Sequence, residues 1–307
     1  WFDRDDPVQC IVTPNDGTED GDEVESNTVT IENTPPVLDS VTLSPDPAYE
    51  GDTLTCSPGT ATDADGSTIS YTYAWTVDGI DPGVTTATMS STWFDRDDPV
   101  QCTVTPNDGT EDGDAVASDA ITISNTAPSI ASVSISPANP VVTDTLTCSH
   151  SSYDDADGDA DQSTYEWTIG GSQVGTSGTL SSGYGAGDAV YCTVTPNDGS
   201  DEGTALTESV SIENSAPEIS AVSLSPSTVY TDDTITATVT SSDADEDTIT
   251  LDYAWYVDGS LVAETGETLE GAAYFDKDQE IYVVVTPNDG TVDGDAVTSE
   301  TLTIDNS

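Results

Sequence analysis

Three short phrases decide the fold: TLTC (Thr53–Cys56), ISYTYAWTV (Ile69–Val77) and QCTVTPNDG (Gln101–Gly109). In the first, Leu54 and Cys56 alternate with Thr. In the second, Ile69, Tyr71, Tyr73, Trp75 and Val77 alternate with Ser, Thr and Ala. In the third, Cys102 and Val104 alternate with Thr, and further on Ile121 and Ile123 do the same. Strict alternation of apolar residues with β-branched polar ones is the pattern of half-buried strands, with one face dry and one wet. Pro, Gly, Asn and Asp punctuate these runs at the short spacing an all-β sandwich requires. No stretch holds a 3.6-residue period.

The same phrases recur along the chain. VTPNDG begins at Val12, Val104, Val194 and Val285, at steps of 92, 90 and 91 residues. WFDRDDPVQC at Trp1–Cys10 returns unchanged at Trp93–Cys102, TLTC returns at Thr145–Cys148, and YAW ending at Trp75 returns as YEW ending at Trp167 and YAW ending at Trp255. A boundary phrase recurs as IENTPP from Ile31, ISNTAP from Ile123, IENSAP from Ile212 and a closing IDNS. A period near 91 residues is too long for a helical or leucine-rich solenoid unit and suits an array of small all-β domains. Full repeats are expected at 35–126, 127–215 and 216–307, with 1–34 supplying the C-terminal strands of an incomplete preceding repeat. Because an isolated strand pair is not stable in water, the polypeptide is expected to extend upstream, or another chain to complete that repeat.

Each of the first two full repeats carries a Cys, a Trp 19 residues later and a second Cys on the penultimate strand: Cys56, Trp75, Cys102 and Cys148, Trp167, Cys192. This order resembles the immunoglobulin-like fold, in which a buried Trp packs on a disulfide joining strands B and F of the two sheets. The resemblance implies bridges Cys56–Cys102 and Cys148–Cys192, with Trp75, Trp167 and Trp255 in the cores. Cys10 matches Cys102, so its partner is expected upstream. In the last repeat Ala237 and Val283 replace both cysteines together, and that domain is left to packing alone. The DADG phrase before YTYAWTVDG at Asp63–Gly79 resembles PKD-type repeats, with their D-x-D-G loop and Trp-containing strand and turn. The Asn-Thr/Ser-Ala/Pro-Pro boundary is similar to the linker of cadherin-like repeats. The fold class expected is therefore all-β, tandem immunoglobulin-like sandwiches in an elongated array. The resemblance also implies a bacterial cell-surface or secreted setting, and disulfides place the chain outside a reducing cytosol.

The acidic residues are clustered. One loop carries Asp63 and Asp65, then Asp154, Asp155, Asp157, Asp159 and Asp161 in the second full repeat, and Asp243, Asp245, Glu246 and Asp247 in the third. The loop after VTP carries Asn107, Asp108, Glu111, Asp112 and Asp114, then Asn197, Asp198, Asp201 and Glu202, then Asn288, Asp289, Asp293 and Asp295. In an immunoglobulin-like sandwich the B–C and F–G loops share the end where the chain enters, so both acidic loops and the incoming linker should converge at each repeat junction. Carboxylates crowded together repel unless a cation intervenes, and Ca2+ takes six to eight such oxygens. Ca2+ is thus the expected cofactor, with Gly66, Gly109 and Gly113 permitting the turns. The alternative is that these are solvated turn residues of a very acidic protein. The WFDRDDPV segment, with Trp93, Phe94 and Arg96, and its counterpart Tyr274, Phe275 and Lys277 belong at the opposite end of each repeat. There they cap the core or make a lateral contact, and the base pairs with its neighbours or with the next domain.

The chain of 307 residues carries 3 basic against 59 acidic side chains, a formal charge of −56. Nothing here neutralises a phosphate backbone, which excludes an electrostatic nucleic-acid binder and disfavours anionic membranes. No apolar run is long enough to cross a bilayer, and no signal peptide opens the chain. Leu, Ile, Val and Phe amount to about 19% of the residues, a composition that alone would read as disorder; the alternating pattern outweighs it. The single histidine, His150, reads as a surface loop residue, and no zinc spacing, phosphate loop or Rossmann fingerprint appears. No enzymatic activity is expected. The function expected is a structural extracellular or cell-surface array (stalk, fibre or sheath), stiffened by Ca2+ at its junctions and by disulfides within its domains. Its partners would be neighbouring repeats or other copies of itself. The alternatives are an adhesin recognising a glycan or protein, and a spacer attached to an enzyme.

Overall fold

A computed structural model describes residues 2–305; Trp1, Asn306 and Ser307, and with them the outermost ends of the sequence phrases, lie outside the described residues. The protein is an all-β chain of tandem immunoglobulin-like sandwiches. It divides into two compact units. The first holds residues 2–128 with the loops 154–161 and 197–203, and the second holds 129–153, 162–196 and 204–305.

In the first unit one sheet is ordered Thr88–Ser90, Thr53–Pro58, Val41–Ser44. The facing sheet is ordered Ser70–Val77, Pro99–Asn107, Ile121–Ser124, Ala48–Tyr49, the last pair parallel. The period-two pattern maps directly onto burial: Leu54, Cys56, Trp75, Cys102, Val104 and Ile123 all lie inside. Trp75 stands opposite Cys102 across the sheet, and Cys102 is bridged to Cys56 in the other sheet. The indole N–H, the one polar atom of that side chain, donates to the Thr86 carbonyl at 2.9 Å, so burying the ring leaves no orphan. Phe94 is 2% exposed and caps the core, whereas its neighbour Trp93 is 49% exposed.

The second unit repeats the plan twice. Trp167 faces Cys192 in register, with Cys192 bridged to Cys148. Trp255 faces Val283, and Ala237 and Val283 are both buried where a bridge would stand. The indoles donate to the Ser177 and Gly266 carbonyls at 2.8 and 2.9 Å. His150 is a correction to the sequence reading. It lies half-buried on the strand Leu146–Ser151 rather than in a surface loop, with Nδ1 at 3.1 Å from the Tyr165 hydroxyl. It lies in phase with Leu146 and Cys148, two residues on along the same inward face, which explains the partial burial near the strand's end; there the imidazole has the Tyr165 phenol beside it.

Residues 2–34 pair as Pro7–Val8 with Val29–Thr30 and Ile11–Val12 with Val24–Glu25, the registers of Pro99–Thr122 and Val104–Val116 in the next repeat. Their apolar face is open. Val12 is 58% exposed where Val104 is fully buried, and Cys10 is exposed and unpaired.

Candidate functional site

The loop 63–67 and its counterparts 155–159 and 243–247 share one construction. The first Asp folds the loop onto itself: Asp63 Oδ1 accepts from the N–H groups of Asp65 and Ser67, both at 2.9 Å. Asp155 Oδ1 accepts from Asp159 N at 2.9 Å, and Asp243 Oδ1 from Asp245 N and Asp247 N at 2.8 and 3.1 Å. The second Asp grips the chain entering the repeat. Asp65 Oδ2 accepts from Thr34 N at 2.7 Å, Asp157 Oδ2 from Thr126 N at 2.6 Å, and Asp245 Oδ2 from Ser215 N at 2.5 Å. One oxygen of each pair is thus committed to the backbone, and the other is left over.

The left-over oxygens form a repeating set. Thr126 Oγ1, Asp155 Oδ2 and Asp157 Oδ1 are buried with no hydrogen-bond partner, and so are Ser215 Oγ, Asp243 Oδ2 and Asp245 Oδ1; Asp63 Oδ2 is likewise orphaned. A buried polar atom without a partner costs about 1–3 kcal/mol, so the same three positions orphaned at two junctions mark a place that a water or a cation would satisfy. The donors are hard oxygens with no nitrogen or sulfur among them, which fits Ca2+ and not a soft metal. In the second unit a carboxylate oxygen from each of Asp243, Asp245 and Asp247 lies within 4.8 Å of the others. In the first unit a further acid joins. The carboxylate of Asp157 faces Glu50 and, with burial and Asp95, pushes the Glu50 carboxyl up to about 7.

The loop after VTP does something different. Asn107 Oδ1 accepts from Gly109 N and Asn107 Nδ2 donates to Asp112 Oδ1, both at 2.7 Å; Asn288, Gly290 and Asp293 repeat this. These Asn and Asp side chains close their own loop. Asn197 likewise accepts from Gly199 N, and its loop is closed by the Asn197–Glu202 bridge. Asp114, with Asp112, lines a groove against Pro36, and Asp295, with Asp293, lines one against Pro217. The turn role expected of Gly113 is corrected by its surroundings. A Cβ there would collide with the Pro36 carbonyl, so glycine is needed for close backbone approach rather than for a left-handed turn. Gly66 and Gly109 do have positive φ, at 73° and 92°.

Asp108, Asp198 and Asp289 are the buried acids of this loop, at 7%, 5% and 9% exposure. Each Oδ1 takes two backbone N–H groups of its own turn. The amide of Asn125 donates to Asp198 Oδ2 and to Asp201 Oδ2, each at 2.8 Å, and Asn214 donates to Asp289 Oδ2 at 2.7 Å. These donors hold the carboxyls below the usual range, chiefly through Asn125 for Asp198 and Asn214 for Asp289, and through the Glu111 and Thr110 N–H groups for Asp108. The linker asparagines were not singled out from sequence as site residues, although they stand in the recurring boundary phrase. Glu50 gave no signal at all, because Val142 and Thr231 occupy the corresponding turn position in the other repeats.

No protein-family model and no curated protein matches this chain. Among solved structures it is similar to the three N-terminal domains of the highly immunogenic outer capsid protein (Hoc) of bacteriophage RB49, with 19% identity, TM-score 0.29, and coverage of 87% of this chain and 98% of that one. It is also similar to domains FN1–FN3 of chicken CNTN1 (10% identity, TM-score 0.28, covering 89% and 98%) and to titin domains A168–A170 (11%, 0.28, covering 88% and 99%). At these scores the likenesses carry no weight for function, and the class is defined by strand order and by the Trp-centred cores. No described helix is long and apolar enough to cross a membrane.

Proposed function

We propose that this chain is a non-catalytic structural repeat array of an extracellular or cell-surface protein (a stalk, fibre or sheath component) whose repeat junctions are tightened by Ca2+. The observation that carries this reading is the orphaned set: a linker hydroxyl and two loop carboxylate oxygens, buried and partnerless at equivalent places in both units. A divalent cation there would tie the incoming linker to the D-x-D loop of the next repeat, through the two residues whose backbone and side chain are already joined. The Trp-containing strand and the D-x-D loop support a PKD-like subfamily. The two disulfides support an oxidising location. Extracellular modules of this kind bind weakly, with Kd about 0.1–1 mM, a range suited to a calcium-rich medium.

Calorimetric titration of Ca2+ into the chelated chain tests this. The expected result is binding in that range, weaker for Mg2+, and lost in a chain carrying Asp157→Asn and Asp245→Asn. Absence of heat and of any protection against urea at about 10 mM Ca2+, well above the Kd range for such modules, would remove calcium from the account.

A further inference from the structure

Resting on that cation reading, we infer that the third junction takes its divalent metal through Asp247, because the repeat before it lacks the arginine that claims the same position elsewhere. In the first unit Arg96 Nη1 donates to Asn125 Oδ1 at 2.6 Å and forms an ion pair with Asp159, closing a chain of contacts from the linker to the D-x-D loop. Arg4 is seated the same way, with Nη1 at 2.6 Å from Asn33 Oδ1, 3.4 Å from Ser67 Oγ and 3.3 Å from Thr110 Oγ1. The sequence offsets are identical, 29 residues to the linker asparagine and 63 to the loop. So the guanidinium is a reproducible part of the junction, not an incidental surface pair.

Counting back from the penultimate strand, the residue corresponding to Arg96 in the second full repeat is Ala186. Asn214 and Asp247, the counterparts of Asn125 and Asp159, therefore have no guanidinium between them. Asp247 is instead grouped with Asp243 and Asp245, whose second oxygens are buried and partnerless. A guanidinium donates from fixed positions to a carboxylate fork, whereas a metal gathers several oxygens about a point. The two arrangements differ in that way: Asp159 is turned to the arginine, and Asp247 lies with its two neighbours. Asp159 is an arginine partner and Asp247 a metal ligand, although they occupy the same place in the repeat. The junctions consequently differ in chelator sensitivity: at the Ala186 junction metal adds to the Ser215–Asp245 and Asn214–Asp289 hydrogen bonds with no guanidinium to support them.

The test uses the full chain and calcium itself, with calorimetry for affinity and hydrogen exchange at residues 213–219 and 243–247 for site. Asp247→Asn is expected to weaken binding at that junction by about tenfold, since it removes one of its charged ligands. Asp159→Asn is expected to leave calcium affinity unchanged while loosening 125–128. Ala186→Arg is expected to draw Asp247 away as Arg96 draws Asp159, weakening calcium binding and the protection of 243–247 to the level of Asp247→Asn, whereas the neutral Ala186→Gln leaves both unchanged, separating charge from bulk. If Ala186→Arg and Asp247→Asn both leave calcium protection of 243–247 intact, the assignment of Asp247 is wrong, while calcium-tightened junctions stand. If the unaltered chain binds no calcium, both readings fall together.

Discussion

Replacing the first bridge by the pair that the last repeat already uses isolates what the disulfide contributes. The double change Cys56→Ala with Cys102→Val copies Ala237 and Val283, which fill the same buried positions at 4% and 0% exposure, so no large cavity is left. The bridge spans 46 residues. Loop-closure entropy for that length corresponds to about 4 kcal/mol at 25 °C, the upper end of what native bridges deliver. With a urea dependence of roughly 1.3 kcal/mol per molar for a domain this size, the midpoint of the first core should fall by about 3 M. Segment-resolved hydrogen exchange in urea separates the cores. Residues 53–58 and 99–107 should lose protection, while 234–242 and 280–288 hold theirs. Reduction of the unaltered chain with dithiothreitol should weaken the first two cores and leave the third unmoved, because it contains no bridge. A loss below about 1 kcal/mol would refute the entropic account. A shift of the third core on reduction would refute the independence of the cores.

The raised Glu50 carboxyl sets a pH window. Its folded value, about 7, lies above the ordinary 4.5. The folded state therefore holds a proton that the unfolded chain has released between those values, and in chelator stability rises as pH falls from 8 to 5. The depressed Asp108, Asp198 and Asp289 lose their contribution only as pH drops below their ordinary 3.8, outside that window. Glu50→Gln should flatten the rise, which after solvent screening is about 1 kcal/mol, measured as urea midpoints at the two pH values; an unchanged slope would assign the effect elsewhere. Gly294→Ala drives a methyl group into the Pro217 carbonyl and should cost about 1–3 kcal/mol in the last core, as overpacked sites do. Gly51→Ala, with open space around it and no left-handed backbone, should be near neutral, both glycine variants being compared by their urea midpoints. Equal effects would show that the close approach is not stabilising.

The strands were legible in the sequence because each core residue is marked twice, by alternation along its strand and by recurrence in the next repeat. Leu54, Trp75, Cys102 and Val104 needed no further information. The D-x-D loops were legible as acid clusters, but which oxygens are spoken for was not. Asn107 and Asp112 look like ligands on paper and spend their polar atoms on each other. Asp63 and Asp157 each give one oxygen to the backbone and keep the other without a hydrogen-bond partner. That division depends on the path of the linker, which brings Thr126 N to a carboxylate 31 residues ahead. Glu50 and Asp95 meet Asp157 only through the fold, from segments with no acidic counterpart at the same positions in the second full repeat. His150 was misplaced because a residue found in one repeat only carries no recurrence to locate it.

The central claim is that cations occupy the orphaned oxygen sets. An anomalous-scattering map of crystals grown in calcium addresses it most directly. The account predicts a calcium peak touching Thr126 Oγ1, Asp155 Oδ2 and Asp157 Oδ1, and another touching Ser215 Oγ, Asp243 Oδ2 and Asp245 Oδ1. Ordered water at both places, with no anomalous signal, would contradict it.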